Sequence, residues 1–149
     1  MSTLKQSADK TWLKLRCLRL NSSDFGRMCR LTDRTDKIKY AESLTMPTVI
    51  TCDAVNHVNI YEKVALETIA LKYDKSVLPC GTIISKDCPI LTSSDGLVGD
   101  NATIEVKCPY ASKDMDINPR TVPYVIYING DIDLNPKHQS YFQIQEQLF

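Results

Sequence analysis

The chain lacks any stretch approaching the roughly 18 consecutive apolar residues of a membrane-crossing helix, and its start, Met1-Ser2-Thr3-Leu4-Lys5, lacks an apolar signal core. No membrane association is therefore expected, and the protein is read as soluble and intracellular, nuclear if its source is eukaryotic. The six cysteines, at 17, 29, 52, 80, 88 and 108, contain no C-x-x-C pair and no regular framework, which argues against a disulfide scaffold and for free thiols in a reducing compartment. A zinc site drawn from Cys80, Cys88, Cys108, His57 and His138 stays open as an alternative. Net charge is also absent, since 18 basic residues face 18 acidic ones. The balance hides an asymmetry: residues 1–40 hold ten Lys or Arg against four Asp or Glu, and the remainder holds eight against fourteen. The basic end can meet phosphates, although a solvated surface would show the same bias. With 149 residues, 43% of them hydrophobic, there is material for one core and no room for a second domain.

What is present is concentrated in Thr92-Ser93-Ser94-Asp95-Gly96-Leu97-Val98-Gly99-Asp100-Asn101-Ala102-Thr103-Ile104-Glu105-Val106-Lys107-Cys108-Pro109. From Thr103 to Cys108 the residues alternate, so a strand there turns Ile104, Val106 and Cys108 to one face and Glu105 and Lys107 to the other. Gly99-Asp100-Asn101 is turn chemistry. A two-residue turn at Asp100-Asn101 sets Leu97 opposite Ile104 and Asp95 beside Val106, diagonal to Glu105 and Lys107. Two hard carboxylates can hold Mg²⁺ or Mn²⁺ against a phosphodiester, with the lysine orienting a water or offsetting charge. A solvated hairpin carrying a surface Glu and Lys is the plainer alternative.

Around this hairpin, Asp9 to Leu18 has helical spacing. Asn21-Ser22-Ser23-Asp24 offers caps for a short second helix over Phe25, Met28, Cys29 and Leu31. Ser23 then sits at a helix start, where Arg16 can reach the same anion, or else Ser23 is only a cap and Arg16 a solvated side chain. Residues 32–57 carry charges up to Glu42, a breaker at Pro47 and a β-like run Thr48-Val49-Ile50-Thr51, and receive no chemistry. A helix is expected from Asn59 or Ile60 to Leu71, with Glu62 off its apolar face and Glu67 as a competing carboxylate. Val77 to Cys80 and Thr82 to Ser85 read as strands, Ile90-Leu91-Thr92 as the entry to the hairpin, and Pro123 excludes an uninterrupted central strand over Val122 to Ile128. A last helix follows Pro136, with Tyr141, Ile144, Gln145 and Leu148 in helical spacing and Gln143 and Gln147 sharing another face. His138 is read as solvated or capping.

Ser93-Ser94-Asp95-Gly96-Leu97 with Ile104-Glu105-Val106-Lys107-Cys108-Pro109 resembles the PD-(D/E)xK nuclease core, and in particular the lambda-type exonucleases and YqaJ-like viral recombinases. Ser94 stands where that pattern has proline. Trp12, Arg16 and Ser23 repeat the spacing at the head of the lambda-type exonucleases, and Leu134-Asn135-Pro136-Lys137-His138 with Tyr141-Phe142-Gln143-Ile144-Gln145 resembles the YqaJ-like glutamine segment. The resemblance spans about Gln6 to Phe149. It implies an α/β, restriction-endonuclease-like domain, a mixed sheet flanked by helices, that hydrolyses DNA with Mg²⁺ or Mn²⁺. It implies Asp95, Glu105 and the Val106 carbonyl as metal ligands, Lys107 beside the attacking water, and Gln143 and Glu62 as supports. It also implies Arg16, Ser23 and Ser93 as the pocket for a terminal 5′-phosphate. Linear duplex ends are the implied partner, and a homo-oligomer is allowed because several members form rings. A DNA-end-binding remnant without strong catalysis is the alternative, and a generic α/β interaction protein a third reading. Relatives continue into further strands past the glutamine helix, so the domain is expected to be incomplete at its C-terminal end, with exposed apolar surface, poor solubility and weak activity.

Overall fold

The computed structural model describes residues 10–17, 19–45, 50–87 and 89–148. In chain order they form α1 (Lys10–Cys17), β1 (Leu20–Asn21), α2 (Ser22–Met28), α3 (Lys37–Thr45), α4 (Asp53–Tyr73), β2 (Val77–Leu78), β3 (Ile83–Ile84), β4 (Ile90–Thr92), β5 (Gly96–Val98), β6 (Ala102–Ile104), β7 (Val125–Ile128), β8 (Asp131–Leu134) and α5 (Gln139–Gln147). None of these helices is long and apolar enough to cross a membrane.

Helix α3 lies in the stretch that periodicity leaves unread, because its signal is a cap. The Asp36 carboxylate accepts the Lys39 N–H at 3.0 Å, and the Asp36 carbonyl accepts that of Tyr40. Of the β-like run 48–51, Thr48 and Val49 lie outside the described residues, and Ile50 and Thr51 are irregular. Helix α4 begins six residues before the expected Asn59, with Asp53 in its first turn where the helix dipole favours an acid, and stops at Asp74 in the left-handed region, φ 47°. It has no buried residue. Of the apolar face expected from the sequence, Tyr61, Val64 and Leu71 are exposed while Ala65 and Ile69 are half-buried, and Glu62, expected off that face, is half-buried as well.

The strands divide among three small sheets, β1-β4-β3, β2-β5-β6 and β7-β8. β1 and β4 run parallel, with Leu20 opposite Ile90 and Asn21 opposite Leu91, and every other pairing is antiparallel. The chain passes from the first sheet to the second through Ser93-Ser94-Asp95. β7 and β8 close through Asn129 and Gly130, both at positive φ (54° and 93°), the mirror-image turn that matches strand twist.

The β5-β6 register corrects the sequence reading by one residue. Gly96 pairs with Ile104, Leu97 with Thr103 and Val98 with Ala102. The turn holds three residues, because Gly99 takes φ +59° and joins Asp100 and Asn101 outside the ladder. The ladder ends at Gly96 and Ile104; beyond it the Asp95 N–H donates to the Ile104 carbonyl at 3.0 Å and the Asp95 carboxylate accepts the Val106 N–H at 2.6 Å, so Asp95 does lie beside Val106. The strand itself ends at Ile104, short of the expected Cys108.

Tyr40, Cys80, Leu91 and Val122 are the buried apolar residues among those described. Leu91 sits in β4, the centre of its sheet. The tightest helix crossing joins α2 to α5 at Gly26, where an added Cβ would lie 2.9 Å from both Cα and O of Gln139. That neighbour is backbone and cannot rotate aside. In an open helix Ala is better than Gly by about 1 kcal/mol. Gly26→Ala is nevertheless expected to cost about 1 to 3 kcal/mol by over-packing, read as a lower urea midpoint. A raised midpoint would show that the two helices stand farther apart.

Candidate active site

Glu105 follows directly on β6, and its side chain is only 8% exposed. A carboxylate so placed needs donors, and three converge on it. Oε1 accepts from the Gln143 amide at 2.5 Å and from the Lys107 ammonium, and Oε2 accepts from the Gln147 amide at 2.7 Å. Lys107 also donates to Gln143 Oε1 at 3.0 Å. Gln143 and Gln147 stand one turn apart on α5, so one helix face delivers both amides. Gln143 was expected here. Gln147 was not, although its spacing of four from Gln143 was the available signal.

Asp95 lies in the link between β4 and β5, and its Oδ2 accepts the Val106 N–H at 2.6 Å. Burial first, then the nearby charges of Glu105 and Glu62, push its carboxyl up to about 7, against the opposing Val106 N–H and Lys107. Glu62, on α4, is raised in turn, by burial and then by Glu105, with Lys107 and Lys63 pulling it down. The three acids therefore form one electrostatic group. Glu67, the competing carboxylate, lines a cleft of about 280 Å³ that Asp95 also borders.

The chemistry of this donor set fits a hard divalent cation. Asp95 and Glu105 offer adjacent carboxylates whose crowded negative charge a cation would offset, and Mg²⁺ is commonly bound through one or two carboxylates plus water. Among the described residues no three or more His, Cys, Asp or Glu are grouped so that they could hold a metal ion together. The zinc alternative is accordingly not assembled there. His57 packs against the rings of Tyr61 and Tyr110, His138 caps α5, and Cys88 lies outside the described residues.

At the other proposed pocket, Arg16 Nη2 donates to Ser23 Oγ at 3.3 Å. Burial lowers the Arg16 pKa while Asp24 pulls it back up. The parallel β1-β4 pairing ends with Asn21 opposite Leu91, and α2 starts at the next residue, Ser22. The Ser93 hydroxyl itself donates to the Gly81 carbonyl at 3.4 Å. The Trp12 side chain lies outside the described residues.

With this geometry in place, the comparisons can be read. The family model of the YqaJ-like viral recombinase domain matches residues 11–149. The chain is also similar to the crystal structure of LHK-Exo in complex with dAMP, at 23% identity and a TM-score of 0.65, over 92% of this chain and 66% of that one. At that identity the likeness speaks to fold, and it bears out the lambda-exonuclease-like architecture expected from the sequence. The chain spans just under two thirds of the length of that protein. No curated protein matches.

The matched range includes α5, whose hold on Glu105 depends on its N-terminal cap. His138 Nδ1 accepts the Ser140 N–H at 3.2 Å, which requires a neutral imidazole. Burial, then Arg30 and Lys107, hold its pKa below 6.5, and the Tyr124 ring lies 5.9 Å away. A base with a depressed folded pKa is protonated more readily in the unfolded chain. The cap's contribution is therefore intact above the unfolded value and declines as the pH falls from there through the folded one. His138→Asn keeps an acceptor that does not titrate. Its loss of stability from pH 7 to pH 5, by urea unfolding, is expected to be smaller than in the wild type. An equal loss would exclude His138 as its source.

Proposed function

This chain belongs to the YqaJ-like viral recombinase domain family, and we propose that it is a metal-dependent DNA nuclease acting from the 5′ end of linear duplex. The observation that carries the reading is the Glu105 carboxylate held by Lys107, Gln143 and Gln147 beside Asp95. The similar LHK-Exo structure contains dAMP, which supports a nucleic-acid substrate.

In this proposal Asp95, Glu105 and the Val106 carbonyl hold Mg²⁺ or Mn²⁺, which supplies charge neutralisation at the phosphodiester and activation of a water. Lys107, 33% exposed, can turn a donor toward a water or the phosphate while remaining in contact with Gln143. Gln143 spans Lys107 and Glu105 and so fixes the distance between base and acid. Glu62 adds negative charge from α4. Arg16, Ser23 and Ser93 receive the terminal phosphate, Arg16 through a charge-assisted contact. Assembly into a homo-oligomer belongs to the same proposal.

Asp95→Ala is expected to abolish Mg²⁺-dependent, EDTA-sensitive cleavage of 5′-phosphorylated linear duplex, with near wild-type thermal unfolding, because it removes an acid crowded by two others. Glu105→Ala should also abolish cleavage but lose about 1 to 3 kcal/mol of stability, since it strands two amide donors. Wild-type cleavage by Asp95→Ala would sink the site. Wild-type protein that holds DNA ends without cutting them would identify a DNA-end-binding remnant instead.

Arg16→Ala and Ser23→Ala should erode the preference for 5′-phosphorylated over 5′-hydroxyl ends, the arginine by on the order of 1.5 to 3 kcal/mol. General duplex affinity should fall less. Competition binding with the two end chemistries checks this, and an undiminished preference in both variants would remove the pocket while leaving the metal site standing.

A further inference from the structure

Glu105 ends in a torsion between tetrahedral and planar carbon, which is broad and roughly two-fold, so a bond to one oxygen does not fix the carboxylate plane. Gln143 and Lys107 both bond Oε1. Gln147 is the side chain bonded to Oε2. The orientation of its amide follows from chemistry, because an ionised carboxylate only accepts and the nitrogen must face it.

A purely space-filling role explains Gln147 poorly. Gln147 is 8% exposed, and its Oε1 is buried with no hydrogen-bond partner among the described residues. Leucine or methionine would fill similar space with no stranded acceptor, which is unfavourable in a core. What the amide adds is the contact to Glu105. The placement is built from a distance: α5 carries Gln147 at a sequence separation of 42 from Glu105, and α5 packs closely against α2 where Gly26 meets the Gln139 backbone.

We propose that Gln147 is a positioning residue, which with Gln143 grips both oxygens of Glu105 and sets the carboxylate plane for cation binding. This rests on the nuclease reading above for its consequence, but not for the grip itself. Gln147 touches neither substrate nor cation, and acts through Glu105.

Gln147→Leu removes the amide at similar size, and Gln147→Met, unbranched, repeats the test if the leucine variant fails to fold. Crystal structures of the wild type and the variant report the Glu105 carboxylate directly, and titration with Mn²⁺ followed by electron paramagnetic resonance reports cation binding without DNA. Glu105 is expected in one orientation in the wild type and rotated or split in the variant. Mn²⁺ binding should weaken and kcat fall by about 10- to 100-fold each, the usual range for groups that orient a metal ligand, with KM for DNA little changed. The same Glu105 orientation and equal Mn²⁺ affinity in both proteins would overturn the proposal. If the wild type cuts no DNA yet Glu105 turns in the variant, the nuclease reading fails and the grip stands.

Discussion

A carboxylate that is nearly out of water must be met by donors, and for Glu105 that requirement organises much of the molecule. One donor is local, from Lys107 two residues on. The other two come from α5, at sequence separations of 38 and 42. The far end of the chain must therefore dock against the central hairpin with helix-turn accuracy. Two features serve that docking: the glycine crossing at Gly26 brings α2 and α5 backbone to backbone, and the His138 cap starts α5 at the right residue.

The two neighbouring acids are treated unequally. Glu105 receives three side-chain donors, whereas Asp95 receives the single Val106 N–H together with burial and two like charges. That inequality follows from position. Glu105 lies at the end of β6 within reach of α5, while Asp95 lies in the passage between two sheets, where its own backbone N–H is used by the Ile104 carbonyl. The excess negative charge this leaves around Asp95, Glu105 and Glu62 is a property of the fold, and it supports the proposed cation without depending on any one contact.

Much of this was legible because the signals were local. The alternation from Thr103 onward placed Glu105 and Lys107 together, and the family resemblance alone pointed to Gln143. The register error had a simple origin: Asp100-Asn101 serves as well for a two-residue turn as for part of a three-residue one, and only the positive φ of Gly99 decides between them. α3 was missed because it announces itself by the Asp36 cap and not by periodicity. The β7-β8 hairpin was obscured by attention to Pro123, although Asn129-Gly130 was the stronger signal. The apolar stripe of α4 was only partly legible: Ala65 and Ile69 are half-buried, but Val64 and Leu71 stay exposed and Glu62, set off that stripe by the pattern, is half-buried near Glu105.

The parallel pairing of β1 with β4 sets Asn21 opposite Leu91, so α2, which starts at Ser22, begins near the end of β4, and Arg16 reaches α2 through its bond to Ser23. Two residues after Ser93 comes Asp95. Two residues of extended chain span at most about 7 Å, so in the proposed reading a phosphate held at Ser93 and a phosphodiester facing Asp95 are close neighbours along one strand. An antiparallel β1 would have carried Ser22 and Ser23 to the opposite end of β4, away from the passage that holds the carboxylate. In the proposed reading, the direction of this two-residue strand keeps the start of α2 and the link that carries Asp95 at the same end of β4.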